Sequence, residues 1–217
     1  MLTIYGVYRS RASRNYWMVN ELGIPFTSVP VIQGYRLDNP LAPEAQINTL
    51  SPAFIAINPM GLIPVIQDGD LILHESLAIN LYLARKYGGS LGGQTPEEDG
   101  LLSMWTVFAA TELEPHSIRL VQTYDREEET TDAGKATIAV ASRSLKRPLD
   151  VLEQHFSAHD YLVGDRFTAV DINVAEVLRY AQTEEALFDT RPALDAWIKR
   201  CQSRPAYIAM QATRGKE

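Results

Sequence analysis

Cysteine is almost absent from this chain: Cys201 is the only one in 217 residues, so no intrachain disulfide can form and a reducing compartment is expected. Positive charge is also short, with 20 Lys and Arg against 27 Asp and Glu and a net charge of −7. Without a basic stripe, nucleic acid is not expected as the main partner. No apolar run reaches the roughly 18 residues of a membrane span, and the start Met1 to Tyr5 lacks the charged and long apolar regions of a secretory leader. No membrane partner and a cytoplasmic location are the expectations. There is no HExxH, no CxxC and no GxxxxGK[ST], so neither a metal nor a nucleotide is expected.

What is present is ordinary globular material, 46% hydrophobic and 22% charged, enough for one large core or two modest ones. Leu2 to Tyr5 reads as a strand, Ala12 to Leu22 as a helix stopped by Gly23 and Pro25, and Phe26 to Val31 as a second strand. Strand, helix and strand in so short a span form a βαβ unit with parallel strands and a right-handed crossover. Pro40, Pro43 and Pro52 break the next segment and leave room for one short helix around Glu44 to Leu50. The dense glycines of Gly88 to Gln94 read as a linker. After it, Thr95 as N-cap, Pro96 at N1 and Glu98 at N3 make a capping box that opens a helical second half, with a long helix over Leu101 to Val121 interrupted near Pro115. The expected domains are thus 1–87, a linker at 88–95, and an all-helical 96–217.

The most informative stretch runs from Asn58 to Ser76. Asn58-Pro59-Met60-Gly61 is a loop, and Pro64 opens a strand while pushing Ile63 toward extended geometry, which leaves the Ile63 N–H and C=O free. Asp68-Gly69 between Val65-Ile66 and Leu71-Ile72-Leu73 signals an antiparallel hairpin. The second strand leads into Glu75-Ser76 and a helix. A free backbone edge can pair with a peptide, and a helix start offers N–H groups to a carboxylate. Together they describe a socket for an anionic, peptide-like ligand.

Ile63-Pro64-Val65 followed by Glu75-Ser76 resembles the glutathione-binding half of the cytosolic glutathione S-transferases. The resemblance implies a thioredoxin-like α/β domain followed by an all-α domain. It also implies a cis Pro64, pairing of Ile63 with the cysteinyl backbone of glutathione, and capture of the γ-glutamyl end by Glu75 and Ser76. Gly164-Asp165-Arg166-Phe167-Thr168-Ala169-Val170-Asp171 resembles the capping motif of the helical domain in the same family, so Thr168 and Asp171 are expected to be structural. Glutathione is then a co-substrate, no metal is called for, and a homodimer is the family's common assembly.

A bound thiol with pKa near 8.5 is only a few per cent ionised at pH 7, and lowering it by ~2 units takes about 2.7 kcal/mol. One or two hydrogen bonds to the sulfur anion suffice, at about 1.5–3 kcal/mol each. The loop before the first helix supplies Ser10 and Ser13. Ser10-Arg11-Ala12-Ser13-Arg14 resembles the S-x-x-x-R start of serine-type transferases, whereas Tyr5 falls where tyrosine-type members carry their donor. Ser10 is the first choice, with Tyr5 and Ser13 as alternates. Arg9, Arg11 and Arg14 crowd a helix N-terminus, which suits an anionic ligand. The absence of cysteine from this half speaks against thiol-transferase chemistry. A hydrophobic electrophile is expected between the domains, against Tyr8 and a helix carrying Trp105, Phe108 and Glu112. The expected reaction is conjugation of glutathione thiolate to that electrophile. Glutathione-dependent isomerisation or peroxide reduction, or a non-catalytic protein-interaction module, are the alternatives.

Overall fold

Leu2–Tyr5 (β1), Phe26–Val29 (β2), Val65–Asp68 (β3) and Leu71–His74 (β4) form one sheet in the order β2-β1-β3-β4. The β1–β2 pair is parallel, as the βαβ pattern requires, and the other two pairs are antiparallel. The structure is a computed structural model that describes all residues 1–217. β2 stops at Val29, two residues short of the expected end, because Pro30 has no N–H to continue the ladder. Ile4 and Ile66 are register partners and fully buried. Alternation sends Tyr5 and Val65 to the other face, where they pack with Val31, Phe54 and Ile63.

The helix Ser13–Leu22 (α1) ends on Gly23 in the left-handed conformation, φ 61°. No helix forms over Glu44 to Leu50; the next helix is the single turn Pro52–Ile55 (α2). The reason is local competition. Asn48 donates to Pro40 O and Gln46 O and accepts from Leu50 N, while Ser51 Oγ accepts from Asn48 N. Side chains thus take the backbone groups that a helix would use. The hairpin leads into Ser76–Tyr87 (α3), which is tied to the end of β3 by one carboxylate. Asp68 Oδ2 accepts from Tyr82 OH at 2.9 Å, Lys86 Nζ at 2.7 Å and Tyr87 OH at 2.8 Å.

Burial alone raises the Asp68 pKa, but these donors outweigh it and hold the carboxyl below its ordinary 3.8. The folded state therefore binds this proton more weakly than the open chain. The stability it contributes is present above about pH 4 and is lost as pH falls below that. Asp68→Asn is expected to be less stable than wild type at pH 7 by about 1–2 kcal/mol. Denaturation midpoints of the two should converge toward pH 3, and a gap that widens on acidification would contradict the assignment.

The remaining helices are Pro96–Phe108 (α4), Glu114–Asp125 (α5), Asp132–Phe156 (α6), Ala169–Leu178 (α7), Pro192–Gln202 (α8) and Pro205–Arg214 (α9). The chain divides into Met1–Tyr87 with Pro205–Glu217, and Gly88–Arg204. Against the expected boundaries, the second unit ends at Arg204 and α9 belongs to the first. Tyr207 lies edge-on to Trp17 of α1 at 4.7 Å, Asn20 Nδ2 donates to Ala206 O, and Met210 is fully buried.

The glycine-dense stretch is not a free linker either. Arg166 donates from Nε to Ser90 O and from Nη2 to Gly92 O, while Nη1 and Nη2 also reach the Glu98 carboxylate, so Gly88 to Gln94 is pinned to the second unit. Thr95 caps α4 by accepting from Glu98 N, but the Glu98 carboxylate accepts from Gln94 N rather than closing the expected box on Thr95. Arg166, together with that bond, holds Glu98 at a pKa of about 2. The helix interruption is a π turn over Ala109–Leu113, immediately before Pro115, whose ring cannot fit under a regular preceding turn. Every residue of α7 is buried, which makes it the central helix of this unit.

Candidate active site

The Ile63–Pro64 peptide bond is cis. Ile63 lies outside β3, and neither its N–H nor its C=O has a partner in the protein. Beside it runs the turn from β1 into α1. A Cβ added at Gly6 would stand 3.9 Å from both Ile63 Cβ and Pro64 Cα, and 2.8 Å from Ala12 Cβ. Glycine at position 6 is thus what lets the turn fold back onto Ala12, while Ile63 and Pro64 lie at ordinary contact distance.

The start of α3 meets the start of α1 through buried polar side chains. Arg14 Nη1 donates to Ser76 Oγ at 2.9 Å, and Asn15 Nδ2 donates to Ser76 O and to Asn80 Oδ1. Asn80 Nδ2 in turn donates to Arg14 O. Arg14, grouped in the sequence with Arg9 and Arg11 at the helix start, is only 1% exposed. Its guanidinium puts a fixed positive charge beneath the N-terminus of α3, whose own dipole has the same sign. Only the Ser10-to-Arg14 spacing hinted at this; Asn15 and Asn80 gave no signal. Glu75, just before α3, has φ 71°, a left-handed backbone unusual for a non-glycine residue, and its side chain is exposed, 3.7 Å from His74 Nδ1.

The three candidate hydroxyls differ. Tyr5 belongs to the Val31–Phe54–Val65 core and donates its proton to Gln67 Oε1 across the sheet. Ser13 is fully buried in the first turn of α1. Ser10 is half-buried in the turn, donates to Val7 O at 2.6 Å and accepts from Ala12 N at 3.0 Å. Accepting a backbone N–H makes its own O–H a better donor.

Tyr8, in the same turn, stacks on Tyr16 with centroids 3.8 Å apart. Burial, and then the nearby Glu217 charge, raise the Tyr8 pKa. Burial pushes Tyr16 up to about 12, so both rings are neutral at pH 7. In the second unit, Trp105 is buried with its ring edge-on to Phe108 and His155. Glu112, on the π turn, is exposed and accepts only from Thr111 Oγ1. Asp171 is fully buried and accepts four hydrogen bonds, from Leu162 N, Thr168 N, Thr168 Oγ1 and Trp197 Nε1. No cluster of three metal-ligating side chains occurs.

The chain that carries this unpartnered backbone step, hydroxyl-bearing turn and positively charged helix start is similar to known proteins along its length. The family model described as glutathione S-transferase, N-terminal domain, matches residues 9–86, and that described as glutathione S-transferase, C-terminal domain, matches residues 108–205. "Glutathione S-transferase 3" of Zea mays is 32% identical over 213 residues, covering 95% of this chain and 91% of that protein. A glutathione S-transferase of Hyoscyamus muticus is 32% identical over 160 residues, 71% of this chain and 76% of its own. Among solved structures, glutathione transferase F7 of Populus trichocarpa superposes with a TM-score of 0.81 at 26% identity over 99% of both chains. The theta class glutathione S-transferase of Xanthomonas axonopodis pv. citri, with glutathione bound, gives 0.77 at 29% identity over 96% of this chain and 95% of that one. The chain belongs to the glutathione S-transferase family.

Proposed function

We propose that this transferase binds glutathione in the first unit and conjugates its thiolate to a hydrophobic electrophile. The observation that carries the reading is the unpartnered backbone N–H and C=O of Ile63, next to the Gly6–Ala12 turn. These two groups suit the main chain of a bound tripeptide. Ser76 at the start of α3, backed by Arg14, suits the γ-glutamyl carboxylate, and Glu75 beside it suits the glutamyl amine. Ser10 is the thiolate donor: on binding, its O–H turns from Val7 O to the sulfur, a stronger acceptor because it is charged. Tyr8, Trp105, Phe108 and Glu112 are proposed for the electrophile.

A second copy of the chain is the proposed partner. Leu101, Met104 and Val107 recur every three residues on α4 and are 42%, 48% and 59% exposed, an apolar stripe suited to another protein surface. The compartment proposed is the cytoplasm, consistent with a lone, buried Cys201 and with no helix long and apolar enough to cross a membrane. The test is calorimetric titration of reduced glutathione, followed by turnover of 1-chloro-2,4-dinitrobenzene against a cis-enone acid and an organic hydroperoxide. Binding heat with fastest turnover of the aryl halide is expected. Binding without aryl turnover would move the chemistry to isomerisation or peroxide reduction, and absence of binding would end the reading.

A further inference from the structure

The turn that carries Ser10 is held by side chains from the far end of the chain. The Tyr8 carbonyl accepts from Arg214 Nη1 at 2.6 Å, and the Arg9 N–H donates to Glu217 Oε2 at 2.8 Å. The Arg9 carbonyl accepts from Arg36 Nη2 at 3.1 Å. Three successive backbone groups immediately before Ser10 are therefore tied to charged side chains, two of them from α9 or just beyond it. This turn is exposed at Arg9 and has no ladder of its own after Gly6, so these bonds supply the order that secondary structure does not. α9 is itself fixed, through Tyr207 on Trp17 and the buried Met210.

We infer that Arg214 and Glu217 are positioning residues for the thiolate donor: by fixing the backbone of Tyr8 and Arg9 they set where the Ser10 hydroxyl points. The inference rests on Ser10 serving as that donor. A hydrogen bond to a sulfur anion tolerates little displacement, and errors near 1 Å can cost up to about 100-fold in rate. The carbonyl bond from Arg214 is charge-assisted and short, so its loss should matter more than that of the exposed Glu217 bond. Nothing in the local sequence of the turn announces either partner, since each lies more than two hundred residues away.

The test compares wild type with Arg214→Ala, Arg214→Lys and Glu217→Ala, alone and in a Ser10→Ala background. Backbone amide exchange at Arg9 and Ala12 is followed in the ligand-free protein, and kcat, KM and the pKa of bound glutathione thiol are followed with ligand. Arg214→Ala should speed exchange at Arg9 and Ala12 by about ten-fold. It should also lower kcat by about five- to ten-fold and raise the bound-thiol pKa, while KM for glutathione moves less than about three-fold. Lysine should restore part of both effects, and Arg214→Ala should add nothing once Ser10 is alanine. Glu217→Ala, a surface change with little bearing on folding, should give the same pattern in smaller measure. Unchanged exchange overturns the inference. So does faster exchange with an unmoved thiol pKa, or an equal loss in the Ser10→Ala background. Failure of wild type to bind glutathione instead overturns the functional reading, an unaltered thiol pKa in Ser10→Ala alone overturns the donor assignment and this inference with it, and both are seen before any α9 variant is made.

Discussion

Replacing Ser10 with alanine is expected to lower kcat/KM for aryl conjugation by about 10- to 100-fold and to raise the pKa of bound glutathione thiol by about 1–2 units. Each follows from losing one hydrogen bond to a charged acceptor, worth about 1.5–3 kcal/mol, at 1.36 kcal/mol per decade. Glutathione affinity should change by less than about three-fold, because the bond matters only to the ionised sulfur. The two alternates serve as controls. Tyr5→Phe removes a donor already engaged with Gln67 and should leave the thiol pKa in place. Ser13→Ala acts inside a fully buried turn and should reduce stability more than it moves the thiol. Thiolate absorbance followed against pH, in all three variants, decides among them. A pKa that moves in Tyr5→Phe and not in Ser10→Ala would transfer the role to the tyrosine.

Asp171→Ala should destabilise the second unit by about 3–5 kcal/mol, the range for removing one member of a buried charged network. The carboxylate is fully buried, and burial is the leading influence on it, pushing its pKa up to about 6 against the four donors that pull it down. It is paired with donors on every side. Truncation leaves Leu162 N–H, Thr168 N–H and O–H and Trp197 Nε1–H facing an empty space. Asp171→Asn keeps one oxygen and turns an amide N–H₂ toward the donors of the other, so it should fall between the two. Urea unfolding read by Trp197, which is buried against Phe156 with ring centroids 4.4 Å apart, measures the loss. A cost below about 1 kcal/mol for the alanine variant would mean that water replaces the carboxylate, and that the network does not hold α7 in place.

The features legible in the sequence were those whose cause is short-range. Thr168 and Asp171 are three residues apart, and the capping box between them forms as written. Gly23 stops α1, Gly69 with φ 63° turns the hairpin, and Pro64 precedes its strand, each through its own backbone preference. Short range also explains two errors, because at both places a neighbouring side chain competed successfully. Asn48 took the backbone groups of the expected Glu44–Leu50 helix, and Glu98 bonded Gln94 where Thr95 was expected. The residues proposed for the site stand out in the sequence for the same reason: Ile63, Pro64, Glu75 and Ser76 belong to one continuous hairpin and helix start.

By itself, then, the order of residues determined the strands, the turns and the helix starts, because these depend on φ preferences and on partners within about four positions. Tertiary structure alone decided that Arg14 is buried under Ser76, that α9 packs with the first unit, and that Arg166 pins the glycine stretch. It also decided that the Tyr5 hydroxyl is bonded to Gln67. Those outcomes depend on groups 60 or more residues apart satisfying one another's hydrogen bonds, and a one-dimensional pattern carries no record of which distant donor reaches which acceptor.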